Sequence, residues 1–165
     1  METRALGFAK PISIDSIAPG MLLSSSGDDG ERIIGISFAT EHDTGLVVVW
    51  SNRDGDVPRA QDLDARFSYG LIEGVLEIEP EDIQDAFVAP VKLSGADTGL
   101  ILTAEGGVGA AILVSPFGRP TRAYIDLSTG KPAGRSDGIA LLPFYRLWVR
   151  QDGRKDRWPL VNLNS

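Results

Sequence analysis

The chain has 165 residues, no cysteine and a formal charge of −7. That length holds one domain, or two small ones packed closely, and buries roughly 70% of its unfolded surface, enough for a core without cross-links. The composition excludes disulfides and thiolate metal sites, argues against general nucleic-acid binding, and contains no apolar run near the roughly 18 residues of a membrane span.

Residues 1–10 read as a flexible arm without the apolar stretch of a signal peptide, ahead of a single β-rich domain over 11–165. Ile12-Ser13-Ile14 alternates and opens a strand. Ala18-Pro19-Gly20 has the proline and glycine order of a type II turn. Met21 to Leu23 is a short strand, and the polar residues Ser24 to Glu31 read as an exposed loop.

The strongest strand signal follows. Ile34, Ile36 and Phe38 alternate with Gly35, Ser37 and Ala39, the two-residue period of a strand with one buried face. Leu46 to Trp50 is apolar without interruption and mostly β-branched, as in a central strand covered on both faces. The polar loop from Glu41 to Gly45 joins the two into a hairpin.

A gapless shift of 64 positions places Gly35 on Gly99, Glu41 on Glu105, Gly45 on Gly109 and Ser51 on Ser115. This suggests a duplication of about 11–88 and 89–165. Two unrelated hairpins sharing glycines and aliphatics explain it equally well.

Beyond Asn52 to Pro58, a polar connection, Ala60, Leu63 and Phe67 have the spacing of about two helical turns. Tyr69 to Ile78 reads as one strand, with Ile72, Leu76 and Ile78 on one face and Glu73 and Glu77 on the other. Glu79-Pro80-Glu81-Asp82 has the proline and acids of a helix start, with Pro90 ending that helix. Val91 to Leu93, Gly99 to Ala104, Ala110 to Val114 and Arg122 to Leu127 are strands. Turns lie at Pro116 to Pro120 and Ser128 to Pro132, and Ile139 to Leu142 leads into a final hairpin.

That hairpin is Phe144 to Gln151 and Arg154 to Leu163 around Asp152-Gly153, a two-residue turn sequence. The turn implies Arg150 opposite Lys155, Trp148 opposite Arg157 and Leu147 opposite Trp158. One face then carries Tyr145, Leu147, Val149, Trp158 and Leu160, and the other Arg146, Trp148, Arg150, Lys155 and Arg157. Pro159, lacking an N–H, belongs at an edge or bulge. The whole pattern is all-β, a mainly antiparallel barrel or sandwich with one or two short helices.

Complete catalytic patterns do not emerge. His42 is the sole histidine, flanked by Glu41 and Asp43. Asn52, Asp54 and Asp56 start like a calcium loop, but Val57 and Leu63 stand where that loop needs glycine and glutamate. Gly106-Gly107-Val108-Gly109 and Gly130-Lys131 lack the helix start and ending of a phosphate loop. Glu73 and Glu77 are a candidate carboxylate pair that also reads as a solvated face. No metal or cofactor is implied.

Charge is uneven: residues 1–118 carry net −12 and residues 119–165 net +5. The basic end either neutralises the acidic body or forms a binding face of Arg146, Trp148, Arg150, Lys155 and Arg157, where guanidinium groups stack on the indole. The expectation is a cytoplasmic, non-catalytic binding or assembly domain for a protein or anionic partner, or a homo-oligomer, with nucleic acid and membrane disfavoured. The alternative is a small hydrolase or metal-dependent enzyme using carboxylates and His42.

Overall fold

A computed structural model describes residues 9–27, 29–53, 57–81, 98–103, 107–115, 118–133, 140–142 and 144–160. Every strand pairing in it is antiparallel, and the strands form three sheets, none closed into a barrel. The first sheet has six strands in the order β1-β6-β2-β3-β4-β5, formed by Ala9–Ile12, Ser68–Ile72, Leu22–Ser26, Arg32–Ala39, Thr44–Ser51 and Arg59–Gln61. The second has five, β11-β10-β9-β8-β12: Lys131–Pro132, Thr121–Asp126, Val108–Val114, Gly99–Leu102 and Ala140–Leu141. The third is β14-β13-β7: Arg157–Leu160, Phe144–Gln151 and Gly74–Glu81. The helical content of the described residues is a single 3-10 turn at Ile14–Ser16.

The expected central hairpin is β3–β4, and both of its faces are covered. Val47, Val49 and Trp50 join the core shared by all three sheets, while Leu46 and Val48 pack on the opposite side under Ile17, Met21, Val57 and Leu63. Trp50 falls on the same side as Val49 because a bulge between Ile34 and Gly35 leaves one extra residue in β4. Gly35 is required there: a Cβ would lie 2.5 Å from the Val47 carbonyl oxygen and 2.7 Å from Leu46 Cγ.

The second sheet is joined to the first through main-chain atoms. The turn after β10 presents Gly130, whose carbonyl accepts the Ala39 N–H at 2.9 Å, and Gly20 donates to Ser37 O at 2.8 Å. Gly130 has φ +68°, and a Cβ on it would overlap Ser37 O and Gly20 N. Ser37 is buried but satisfied, donating to Ala18 O at 2.5 Å and accepting from Met21 N at 3.0 Å. Gly20 itself has φ +87°, as the type II turn requires.

Several local expectations are corrected. Ser24 to Ser26 are not loop but the second half of β2, paired on one side with β3 and on the other with β6. Two ladders outweigh the loop preference of serine, and Ser24 and Ser25 are buried. The helix expected over Arg59 to Phe67 is absent. Arg59–Gln61 completes the hydrogen bonding of β4, and Asp64 then closes a turn, accepting from Arg66 N at 2.9 Å with its carboxylate and from Phe67 N at 3.0 Å with its carbonyl.

Tyr69 to Ile78 is two strands rather than one. The chain leaves the first sheet after Ile72 and enters the third at Gly74. The helix start expected at Glu79 is the end of β7, which runs to Glu81; Pro80 is tolerated because β7 is an edge strand. The rest of that helix, and the strand expected at Val91 to Leu93, lie outside the described residues. Strand β1 starts at Ala9, so the last two residues of the expected arm pair with β6.

Candidate interaction face

The third sheet has two unlike faces. Leu147, Val149 and Leu160 point inward and are buried in the shared core. On the outer face three columns of side chains stand side by side. Strand β7 contributes Val75, Glu77 and Glu79; β13 contributes Arg146, Trp148 and Arg150; β14 contributes Arg157 and Pro159. The register aligns them: Arg146 opposes Glu79, Trp148 opposes Glu77 on one side and Pro159 on the other, and Arg150 opposes Val75 and Arg157.

Four of the five basic-face residues anticipated from sequence therefore share this face: Arg146, Trp148, Arg150 and Arg157. Lys155 is the correction. The pairing of β13 with β14 is displaced by two residues from the expected one, so Arg150 meets Arg157 and Val149 meets Trp158. The turn at Asp152-Gly153 does form, with Arg154 N donating to Gln151 O at 3.1 Å, but the loop widens to five residues and holds exposed Lys155 outside the ladder. A shift of two keeps every residue on its expected side, where a shift of one would have exchanged the faces.

The cations of this face are engaged with an acidic column that the sequence did not place beside them. Glu77 accepts from Arg150 Nε at 2.5 Å and from Arg157 Nη1 at 3.4 Å. Glu79 Oε2 accepts from Trp148 Nε1 at 2.9 Å and from Arg157 Nη2 at 3.0 Å. The Arg157 guanidinium lies 4.0 Å from the Trp148 ring centroid. Arg150 also donates to the Lys155 carbonyl. The Arg150 hydrogen bonds, with Arg157 adding to them, hold the Glu77 carboxyl below its usual range, so it is ionised at neutral pH.

Magnitudes separate the roles of the two faces. Each inward aliphatic contributes about 1.5–3 kcal/mol by leaving water. Each partly exposed ion pair contributes about 0.2–1 kcal/mol. The inward face holds the sheet in place, and the outer face adds comparatively little to stability.

Other sequence candidates are placed apart from this face. His42 sits in the exposed β3–β4 loop with Nε2 3.8 Å from Glu41 Oε2. Asn52 accepts the Arg32 N–H at 2.9 Å, while Asp54 and Asp56 lie outside the described residues. Among the described residues, no group of three or more histidines and carboxylates comes together. Glu73 is tied to Lys10 at 2.9 Å, and Glu77 to the arginines, so the two carboxylates expected as a pair have separate partners.

A cleft of about 250 Å³ near Asp29 and Glu31 has carboxylates on its rim and Ile33 and Phe67 in its lining. Burial raises the Glu31 pKa, but hydrogen bonds from Ser51 at 2.8 Å and Arg59 at 2.7 Å outweigh it and bring the value down. The Glu31 N–H, together with Arg53, lowers that of Asp29. Both are ionised near neutrality and neither is a proton donor there.

No family model, curated protein or solved structure matches the chain. No helix among the described residues is long and apolar enough to cross a membrane.

Proposed function

We propose that this chain is a non-catalytic binding or assembly domain that engages a protein partner through the outer face of β7, β13 and β14. The observation that carries the reading is Trp148 at the centre of that face, with Arg157 over its ring and Glu79 on its N–H. Tryptophan and arginine dominate the energetics of protein contacts, and a ring already held in place loses little freedom on binding. The contact residues are Arg146, Trp148, Arg150 and Arg157, with Lys155 at the border.

A protein is favoured over a polyanion because the arginines already share their donors with Glu77 and Glu79. A polyanion would have to displace those carboxylates, whereas a protein surface of mixed charge would match both columns. The enzyme reading through carboxylates and His42 has less support, since the Asp29 and Glu31 carboxyls are held ionised and His42 stands on a loop. A cytoplasmic setting belongs to the same proposal.

The test is affinity capture with the immobilised chain, wild type against Trp148→Ala and Arg146→Glu. A partner retained by wild type and lost by both variants is the expected result, with heparin retention equal in all three. A partner held equally well by every variant would mean that binding occurs elsewhere.

A further inference from the structure

The face has a property that an arbitrary protein contact does not need. Its acidic column on β7 and its basic column on β13 are adjacent, parallel and level with each other: Glu79 with Arg146, and Glu77 with Trp148. We propose that this face is self-complementary and that its partner is a second copy of the chain, docked about a two-fold axis parallel to the strands and lying between β7 and β13. The inference rests on the protein-binding reading above.

Rotation about that axis exchanges the two columns and preserves their level. Arg146 of each copy then meets Glu79 of the other, and Trp148 of each lies over the other's Glu77. An axis across the strands does the reverse, setting each column on its own kind, glutamate on glutamate and arginine on arginine. Like charges directly opposed are destabilising, so one docking is selected. A contact formed by one patch with itself is the ordinary geometry of a homodimer.

The intramolecular ion pairs leave room for this. A carboxylate has about four lone-pair sites and a guanidinium five N–H donors. Among the described residues, both bonds to Glu79 fall on Oε2, leaving Oε1 for a second guanidinium. Exposed Val75 adds apolar area, since the same rotation sets it over the other copy's Arg150.

Size sets the affinity. The two strands that face each other, each eight residues long and about 4.8 Å apart with a rise of about 3.4 Å per residue, present roughly 260 Å². That is about a third of the roughly 800 Å² per partner in a stable complex. The dimer is therefore weak and sensitive to salt, because its attraction is ionic and open to solvent.

Sedimentation equilibrium on the purified chain, from micromolar to millimolar concentration, reads this directly. Wild type is expected to dimerise in low salt and to dissociate in high salt. Glu79→Arg and Arg146→Glu each weaken the dimer at least about tenfold, since each sets like charges opposite one another. An equimolar mixture of the two recovers the affinity, because each reversed charge then meets its opposite. Should a reversed variant fail to fold by circular dichroism, Glu79→Gln and Arg146→Gln replace the pair, each weakening the dimer several-fold without repulsion.

A wild type that stays monomeric at the highest concentration in low salt overturns the self-association. So does a mixture of folded reversed variants that fails to recover the dimer. Neither result touches the capture of a different partner, which stands or falls on the Trp148 experiment.

Discussion

The central hairpin β3–β4 and the terminal ribbon β13–β14 are both antiparallel pairs with an aliphatic side, yet they use their second sides differently. Leu46 and Val48 turn away from the inter-sheet core into a smaller apolar cluster, so β4 beyond Thr44 has no solvent face. Arg146, Trp148 and Arg150 turn away from the same core into a partly exposed ladder of charges. Burial on both sides makes the hairpin intolerant of change. Burial on one side frees the ribbon to carry polar chemistry at little cost to the fold.

The comparison breaks most sharply at Val48, which is fully buried. Val48→Asp places a carboxylate in the apolar cluster, where the opposed Arg59 is already held by Glu31, and is expected to cost about 3 kcal/mol or more, a large part of a domain's stability. Loss of the cooperative urea transition is the expected readout. A variant with a near-native midpoint would show that the outer cluster is not sealed.

Gly35→Ala probes the same hairpin more gently. The added methyl presses on the Val47 carbonyl and the Leu46 side chain, with an expected cost of about 1–3 kcal/mol. Gly153, in the ribbon's turn, has φ +74° but open space around its Cβ position. A Gly153→Ala variant should therefore be destabilised by backbone strain alone, and by less than Gly35→Ala in the same denaturation series.

Glu77→Gln is the smallest effect, about 1 kcal/mol at neutral pH. Its sign with pH is fixed. The folded carboxyl sits below its ordinary value of 4.5, so its contribution is present above that value and fades as pH falls through the lower folded one. Wild type and Glu77→Gln should differ in urea midpoint at neutral pH and converge in acid. A difference that persists unchanged in acid would assign the effect to packing rather than charge.

Alternation carried most of what could be read from the chain. The two-residue period at Ile34 to Phe38 and the unbroken run at Leu46 to Trp50 located the central hairpin, because burial writes itself directly into local sequence. The same rule sorted Arg146, Trp148, Arg150 and Arg157 onto one side even though the pairing was displaced by two. Glu79 was misread because its helix-start signal is local, whereas its pairing with Arg146 spans a long separation that no local pattern records. The serines of β2 were missed for a related reason: their ladders come from β3 and β6, and serine itself has no strand preference. At Arg59 to Phe67 a helical spacing arose by coincidence from two segments with different jobs.

Under the sixty-four-residue shift the hairpins themselves fall out of step by one residue, since Gly35 opposite Val48 would become Gly99 opposite Ile112 and Gly99 instead meets Ala111. Strand β4 with β5, and β9 with β10, pair in equivalent registers under that shift, since Val48 opposite Arg59 becomes Ile112 opposite Ala123. The facing differs, however: Leu46 and Val48 point to the outer cluster, while Ala110 and Ile112 point to the shared core.

Where Gly130 meets Ser37 and Gly20, two sheets touch backbone to backbone, with no side chain between them to swell or shrink. At that point the approach of the two layers is limited by peptide atoms. Aliphatic residues deeper in the sandwich still fill the space between the layers, while this backbone contact fixes where the two sheets meet at their rim.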